Sequence, residues 1–313
     1  MLLYVLQSKG SSPGRQGFFM AVNAGGEMQG SIGGGIMEHK FTELALEKLN
    51  HKKYTSERES NEPLVKKQVH DKKAGANQSG MICSGEQIVL LYEIKQADEL
   101  QIYNIIHSLG NNKNGTLQLS STGLNFSETI PRQDFEFTMT SEASWLYKEK
   151  TGYKNHLFII GGGHCALALS RLMSTMDFYI RLYEDRSELN TMLQNEFVRE
   201  KKILGDYSEL SALISSGSNH YVVIMTAGYR TDYTAAKALL DKHFKYLGIL
   251  GSKKKMEKLY AAFENEGIQE KKLKHVYTPI GLSINSHTPE EIAVSIAAEI
   301  IMVKNKINQA GSS

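Results

Sequence analysis

Gly161, Gly163 and Ala166 sit between an apolar run at 156–160 and a segment in which Ala166, Leu167, Leu169, Leu172 and Met173 recur at helical spacing. Where a strand turns directly into a helix, a first glycine makes the tight turn and a second lets backbone approach a phosphate. A small third residue then allows helix and strand to pack closely. The helix start adds unpaired N–H groups and a positive dipole end. His164 follows the last glycine and can reach a ligand phosphate or cap the turn. A second strand-like run, 179–183, leads into Glu184 and Asp185, about where an acid would meet ribose hydroxyls. The pattern points to a phosphate-bearing ligand, with a glycine turn used only for packing as the alternative. A similar turn follows the run 246–250, where Gly251 and Ser252 precede Lys253, Lys254 and Lys255. These ammonium groups would neutralise a phosphate or stand solvated.

Two more glycine loops lie in the first half. The loop 10–17 carries Ser11, Ser12 and Arg15, and the loop 30–35 carries Gly33, Gly34 and Gly35 just before a helical pattern at 36–50. Loops of this kind leave backbone N–H groups unpaired and form an anion nest, or serve tight turns and helix–sheet packing. Glu38 is either a ligand contact or a first-turn acid that complements the helix dipole. Cys83, with glycine near it, is either a thiolate metal donor or a small buried hydrophobe. Cys165 stands where a small packing residue is needed and reads as structural.

Around these residues the elements divide the chain. Strands at 2–7, 18–22, 88–92 and 116–120 with helices at 36–50 and 97–109 suggest an α+β domain over 1–151, its polar stretch from about 140 serving as linker around Trp145. Residues 152–313 alternate strand and helix as a Rossmann-like, doubly wound, mainly parallel sheet. The last helix has a capping box, with Thr288 at the cap, Pro289 at the first helical position and Glu291 closing it. The class is therefore α/β.

At 41% hydrophobic and 22% charged, the composition is that of a globular chain and argues against disorder or a coiled coil. The net charge of +2 and the scattered lysine pairs argue against a nucleic-acid partner. No apolar run approaches the roughly 20 residues of a membrane span, and residues 1–4 lack the basic start of a signal peptide. With Cys83 and Cys165 one in each half, reduced thiols and a cytoplasmic location are expected.

Several motifs in this order resemble the XdhC/CoxI family, the maturation factors of xanthine dehydrogenase and related molybdenum hydroxylases. They are Gly10-Ser11-Ser12-Pro13, Gly30-Ser31-Ile32-Gly33-Gly34-Gly35 with Glu38, and Cys83-Ser84-Gly85, which stands where the family usually carries Cys-Gly-Gly. In the second half they are Gly161-Gly162-Gly163-His164, Glu184-Asp185-Arg186, the run 248–254, Pro279-Ile280-Gly281-Leu282, and the run 288–293. The resemblance implies a carrier rather than an enzyme. Its cargo would be the molybdenum cofactor (molybdopterin), protected while the terminal sulfur ligand is installed. Its partners would be an apo molybdenum hydroxylase and a cysteine desulfurase-type sulfur donor, and the carrier itself would be a homodimer. Cys83 would then be the metal ligand. Two departures stand out: Thr226-Ala227 replaces the family's Thr-His, and the chain begins almost at its first strand, without the expected leading helix.

Two other classes stay open. An NAD(P)-dependent oxidoreductase would use the same Gly161 turn with Glu184 on the ribose, but no proton donor can be nominated for it. A nucleotide-sensing binding module would need only the turn.

Overall fold

Alternation along the first strand, β1 (Leu2–Gly10), sends Leu3 and Val5 to one face and Leu2, Tyr4 and Leu6 to the other, and both sets are buried. The computed structural model describes residues 1–51, 62–70 and 85–306. The chain forms two units, Met1–Gly152 and Tyr153–Ser313.

In the first unit β1 is followed by β2 (Phe19–Val22), β3 (Met28–Gly30), α1 (Gly35–His51), β4 (Leu64–Val69) and β5 (Gly85–Tyr92). Their sheet runs β3-β2-β1-β5-β4, with antiparallel neighbours throughout. Next come α2 (Glu99–Gly110), β6 (Gly115–Ser120), β7 (Gly123–Ser127), β8 (Phe135–Ser141) and β9 (Ser144–Thr151), whose antiparallel sheet runs β7-β6-β9-β8. Met37, Phe41 and Ala45 of α1 cover the Leu3–Val5 face of β1. Leu117, Leu119, Trp145 and Tyr147 of the second sheet cover the other. This explains why β1 is apolar at successive positions instead of alternating with polar residues.

The linker expected from about residue 140 is corrected here. Residues 144–151 are β9, a central strand of the second sheet, with Trp145 and Tyr147 in the core. Their period-two spacing sends both inward, while the polar residues between them gave the segment its linker-like look.

The second unit contains β10 (Asn155–Ile160), α3 (His164–Met173), β11 (Phe178–Glu184), α4 (Asn190–Leu193), β12 (Glu200–Ile203), α5 (Leu210–Leu213), β13 (Gly217–Ile224), α6 (Tyr229–Leu239), β14 (Phe244–Ile249), α7 (Lys253–Asn265), α8 (Glu270–Leu273), β15 (Val276–Tyr277) and α9 (Pro289–Asn305). The sheet is parallel throughout, in the order β12-β11-β10-β13-β14-β15. Renumbered within the unit this is 3-2-1-4-5-6, the doubly wound dinucleotide-binding order. Leu157 and Ile159 pack with Leu169 of α3 and Ile296 of α9, whereas Phe158 and Ile160 pack with Ala236 of α6 and Phe263 of α7. The capping box forms as expected: Thr288 Oγ1 accepts from the Glu291 N–H at 3.2 Å, and Glu291 accepts from the Thr288 N–H at 3.2 Å.

The single tryptophan, Trp145, shares a core cluster with Leu6. Leu6→Ala is expected to destabilise the first unit by about 2–5 kcal/mol, the range for truncating a fully buried leucine. Urea unfolding followed by Trp145 fluorescence measures it, and an unchanged midpoint would show that Leu6 adds nothing to that core.

Candidate functional site: two glycine loops and their buried carboxylates

At the carboxyl end of β10, Gly161 adopts φ +104°, and a Cβ there would stand 2.4 Å from the Met225 carbonyl oxygen. Only glycine fits, on both counts. The Gly162 N–H donates to Glu184 Oε2 at 2.5 Å, and its carbonyl accepts from Thr191 Oγ1 at 2.5 Å. Gly163 caps α3 without a side-chain hydrogen bond, and nothing lies within 4 Å of where its Cβ would be. His164 beside it is exposed. The start of this ten-residue helix is thus open at the strand-order reversal, between β10 and β13, where doubly wound folds bind ligands.

Glu184 is turned inward. Its side chain is 0% exposed, and it also accepts from Arg186 Nε at 2.7 Å, Arg186 Nη2 at 2.9 Å and the Asp185 and Arg186 backbone N–H groups at 3.1 and 3.2 Å. Burial alone would raise its pKa, but the Arg186 fork and the Gly162 N–H outweigh it and bring the carboxyl down to about 2. Its lone pairs are committed to holding the turn, so the acid that remains outward is Asp185. That carboxylate accepts from Tyr207 OH at 3.1 Å and is raised in pKa, chiefly by its hydrogen-bonded neighbour Glu184.

The next loop carries a second buried acid. Asp232 is 0% exposed and accepts from the Thr226 N–H at 3.0 Å and Thr226 Oγ1 at 2.6 Å. Its other oxygen pairs with Lys255 Nζ, which also donates to the Leu250 carbonyl at 3.2 Å. The lysine trio after Gly251 therefore splits: Lys255 ties the β13 and β14 loops together, and Lys253 and Lys254 are exposed. Ser252 caps α7, its hydroxyl accepting from the Lys255 N–H at 3.3 Å. It lines an open cavity of about 740 Å³ with Tyr229, Lys254, Lys255 and Lys258.

In the first unit the two glycine loops meet. A Cβ on Gly33, at φ +127°, would lie 2.4 Å from Gly14 N, and one on Gly14 would lie 2.0 Å from the Ile32 carbonyl oxygen. Buried Gln87 clamps the contact, donating to the Gly14 carbonyl at 2.8 Å and the Ile32 carbonyl at 3.4 Å, with His70 Nε2 against its Oε1 at 2.9 Å. Glu38 fills the nest. Its Oε2 accepts from Ser31 Oγ at 2.7 Å, the Ile32 N–H at 2.9 Å and the Gly34 N–H at 3.0 Å. Against the rise that burial would bring, these donors lower its pKa. Gly34 and Gly35, both at positive φ, complete the turn into α1, and open space lies beyond Gly34. Ser12 is buried, its hydroxyl donating to the Gly14 carbonyl at 3.1 Å. Ser11 and Arg15 are exposed, with Arg15 Nη1 donating to the Gly10 carbonyl at 3.1 Å.

Cys83 lies outside the described residues. The chain is described again from Gly85, which pairs with Gly10 and lies against Ser11 so closely that a Cβ would come within 2.6 Å of its carbonyl oxygen. Cys165 is half-buried. Burial, with Glu290 nearby, pushes its thiol pKa up, which opposes activation by the helix start. Among the described residues, no group of three or more His, Cys, Asp or Glu side chains is placed to hold a metal ion. No described helix is long and apolar enough to cross a membrane.

Residues 1–58 match the model of the XdhC and CoxI family, and residues 157–300 match that of the XdhC Rossmann domain. The chain belongs to the XdhC and CoxI family. It is 24% identical over 304 residues to "Uncharacterized protein YqeB" of Escherichia coli strain K12, covering 96% of this chain and 43% of that protein. It is also 24% identical over 185 residues to a Bacillus subtilis strain 168 protein named as a probable xanthine dehydrogenase subunit, covering 56% of this chain and 53% of that protein. The chain thus spans about half the length of the curated relatives it matches. Its fold is like that of a crystal structure named as a xanthine dehydrogenase from Bacillus halodurans, with TM-score 0.70 and 22% identity over 99% of this chain and 93% of that one.

In this XdhC/CoxI family member, sequence reasoning missed the residues that hold the loops: Gln87, His70, Thr191, and Lys255 as the partner of Asp232. Gln87 in β5 follows the Cys83-Ser84-Gly85 motif by two residues and His70 directly follows β4, so only the antiparallel pairing of those strands brings the two side chains together. Lys255 had a local signal, since Thr226, Asp232 and the lysine run all follow strand ends of one parallel sheet.

Glu184 supplies a pH test. Its folded pKa is depressed from 4.5 to about 2, so its stabilisation is present above pH 4.5 and lost as the pH falls toward 2. Asp185, shifted upward, offsets part of it. Glu184→Gln is expected to lower unfolding free energy at pH 7 by about 2 kcal/mol and to flatten its decline below pH 4.5. Denaturant titrations across that range measure both effects. Parallel pH profiles for parent and variant would reject the buried carboxylate as the source.

Proposed function

We propose that the chain carries a molybdenum cofactor as cargo, shields it while a cysteine desulfurase-type donor installs its terminal sulfur, and delivers it to an apo molybdenum hydroxylase of the xanthine dehydrogenase type. The observation that carries this reading is the meeting of the loops 10–17 and 30–35 in a member of the XdhC and CoxI family. Around that contact stand exposed Ser11 and Arg15, the open side of Gly34, and the exposed apolar side chains Phe18, Phe19 and Ile36. A pterin offers a flat apolar ring and an anionic phosphate, and this surface has groups suited to each. Because Glu38 already occupies the nest, the proposal gives the phosphate to Arg15 and Ser11 and leaves Glu38 as the residue that shapes the loop. Cys83, two residues before Gly85 in the sequence, supplies the metal-binding thiolate. The names of the Bacillus subtilis and Bacillus halodurans proteins agree with a xanthine dehydrogenase setting.

A second reading places a nucleotide at the open start of α3, supported by the 3-2-1-4-5-6 strand order and by Asp185 facing outward. Asp185 would then favour NAD over NADP, and separate titrations of the two test it. The carrier is proposed to act as a homodimer, and a monomer by light scattering at micromolar concentration would contradict that.

Anaerobic purification followed by metal and pterin assay separates the readings, since only a carrier retains molybdopterin. Cys83→Ser is expected to keep the fold and weaken cofactor retention by at least about tenfold, roughly 1.4 kcal/mol, because a hydroxyl is a harder and weaker donor. Cys165→Ser should match the parent. If Cys83→Ser retains the cofactor and activates the apo-hydroxylase as well as the parent does, the thiolate has no part in the site.

A further inference from the structure

The lysines that look scattered along the sequence converge at the end of the parallel sheet opposite the glycine turns. A cavity of about 630 Å³ opens at the amino ends of β14 and β15 and is lined by Lys242, Lys245, Lys271, Lys272 and Lys274 together with His243 and His275. Among the described residues, no aspartate or glutamate lines it. The chain as a whole carries only +2, so this is a strong local excess of positive charge.

Some of the ammonium groups are already used. Lys242 donates to the carbonyls of Ser211 and Ile214, which holds it against the wall. Lys272 pairs with Asp241 on the rim. Lys245 and Lys271 have no carboxylate partner among the described residues, and Lys245 is half-buried within β14. Phe244, Leu247 and Tyr277 add apolar and aromatic surface to the lining. Like charges around a concavity repel one another, and low-dielectric walls focus their field into it. A bound anion relieves that repulsion. The volume falls in the range of about 300–1,000 Å³ typical of small-ligand pockets and is far too small for a nucleic-acid duplex.

We propose that this cavity binds a small organic phosphate, with its phosphoryl oxygens held by Lys245, Lys271 and His275 and its apolar body resting on Phe244, Leu247 and Tyr277. The site is separate from the turn at Gly161 and does not depend on what that turn or the first unit binds.

The test uses the full chain and two probes with the same headgroup, phenyl phosphate and inorganic phosphate. Calorimetric titration at low salt reads affinity, and the ring-proton resonances of His243 and His275 read location. Phenyl phosphate is expected to saturate, to shift both histidine signals, and to bind about tenfold tighter than inorganic phosphate. Its affinity should fall as salt screens the lysines. Lys245→Glu combined with Lys271→Glu should weaken it by at least about tenfold, whereas His164→Ala should not. Should the charge reversal impair folding, Lys245→Met with Lys271→Met keeps the apolar stems and should show the same direction. The proposal is overturned if phenyl phosphate binds no tighter than inorganic phosphate, if neither histidine signal shifts, or if the lysine variants bind like the parent. It is equally overturned if a single-stranded oligonucleotide binds these lysines tightly and displaces phenyl phosphate.

Discussion

Backbone pressed against backbone is the constraint from which the candidate sites follow. At Gly14 and Gly33, and again at Gly161, a Cβ would stand between 2.0 and 2.4 Å from a main-chain atom of a neighbouring loop. No side chain larger than hydrogen fits such a gap, and at Gly33 and Gly161 the positive φ excludes other residues a second time. Bringing main chains this close aligns peptide groups at the start of α1 and of α3. It also creates N–H groups that no neighbouring strand or helix turn can satisfy.

Each unit answers that demand with a carboxylate of its own. Glu38 takes the N–H groups of Ile32 and Gly34, and Glu184 takes that of Gly162. The two differ in what balances them. Glu184 is fully buried and needs the Arg186 fork to keep its charge, whereas Glu38 relies on neutral donors and partial contact with water. Asp232, Thr226 and Lys255 repeat the device between the loops after β13 and β14. The loops are therefore rigid from within, and the groups left to a ligand lie beside the nests: Arg15 and Ser11 in the first unit, and the start of α3 with Asp185 in the second.

The sheets set where those loops point. In the second unit all strands run parallel, so every strand-to-helix turn opens at one end and the basic cavity lies at the other. In the first, β1 is buried on both faces between α1 and the second sheet, which anchors the loop 10–17 at the end of a strand that cannot shift register without exposing one of its two apolar sets.

Much of this was legible in the residues. The apolar runs ending in glycine, the helical spacing after Gly161, the capping box at Thr288 and the family motifs established a Rossmann-like second unit and an α+β first one, because they depend on local geometry that repeats at short range. Trp145 misled for lack of a partner: a strand with alternating polar letters reads as a linker until the opposing sheet is known. Glu38 and Glu184 were visible as acids near glycine turns, but sequence cannot tell a carboxylate that meets a ligand from one that satisfies its own loop. That depends on a side-chain direction and a burial that only packing decides. The convergence of Lys245 and Lys271 was equally hidden, since α8, which carries Lys271, comes to the start of β14 only when β15, just after it, pairs with β14.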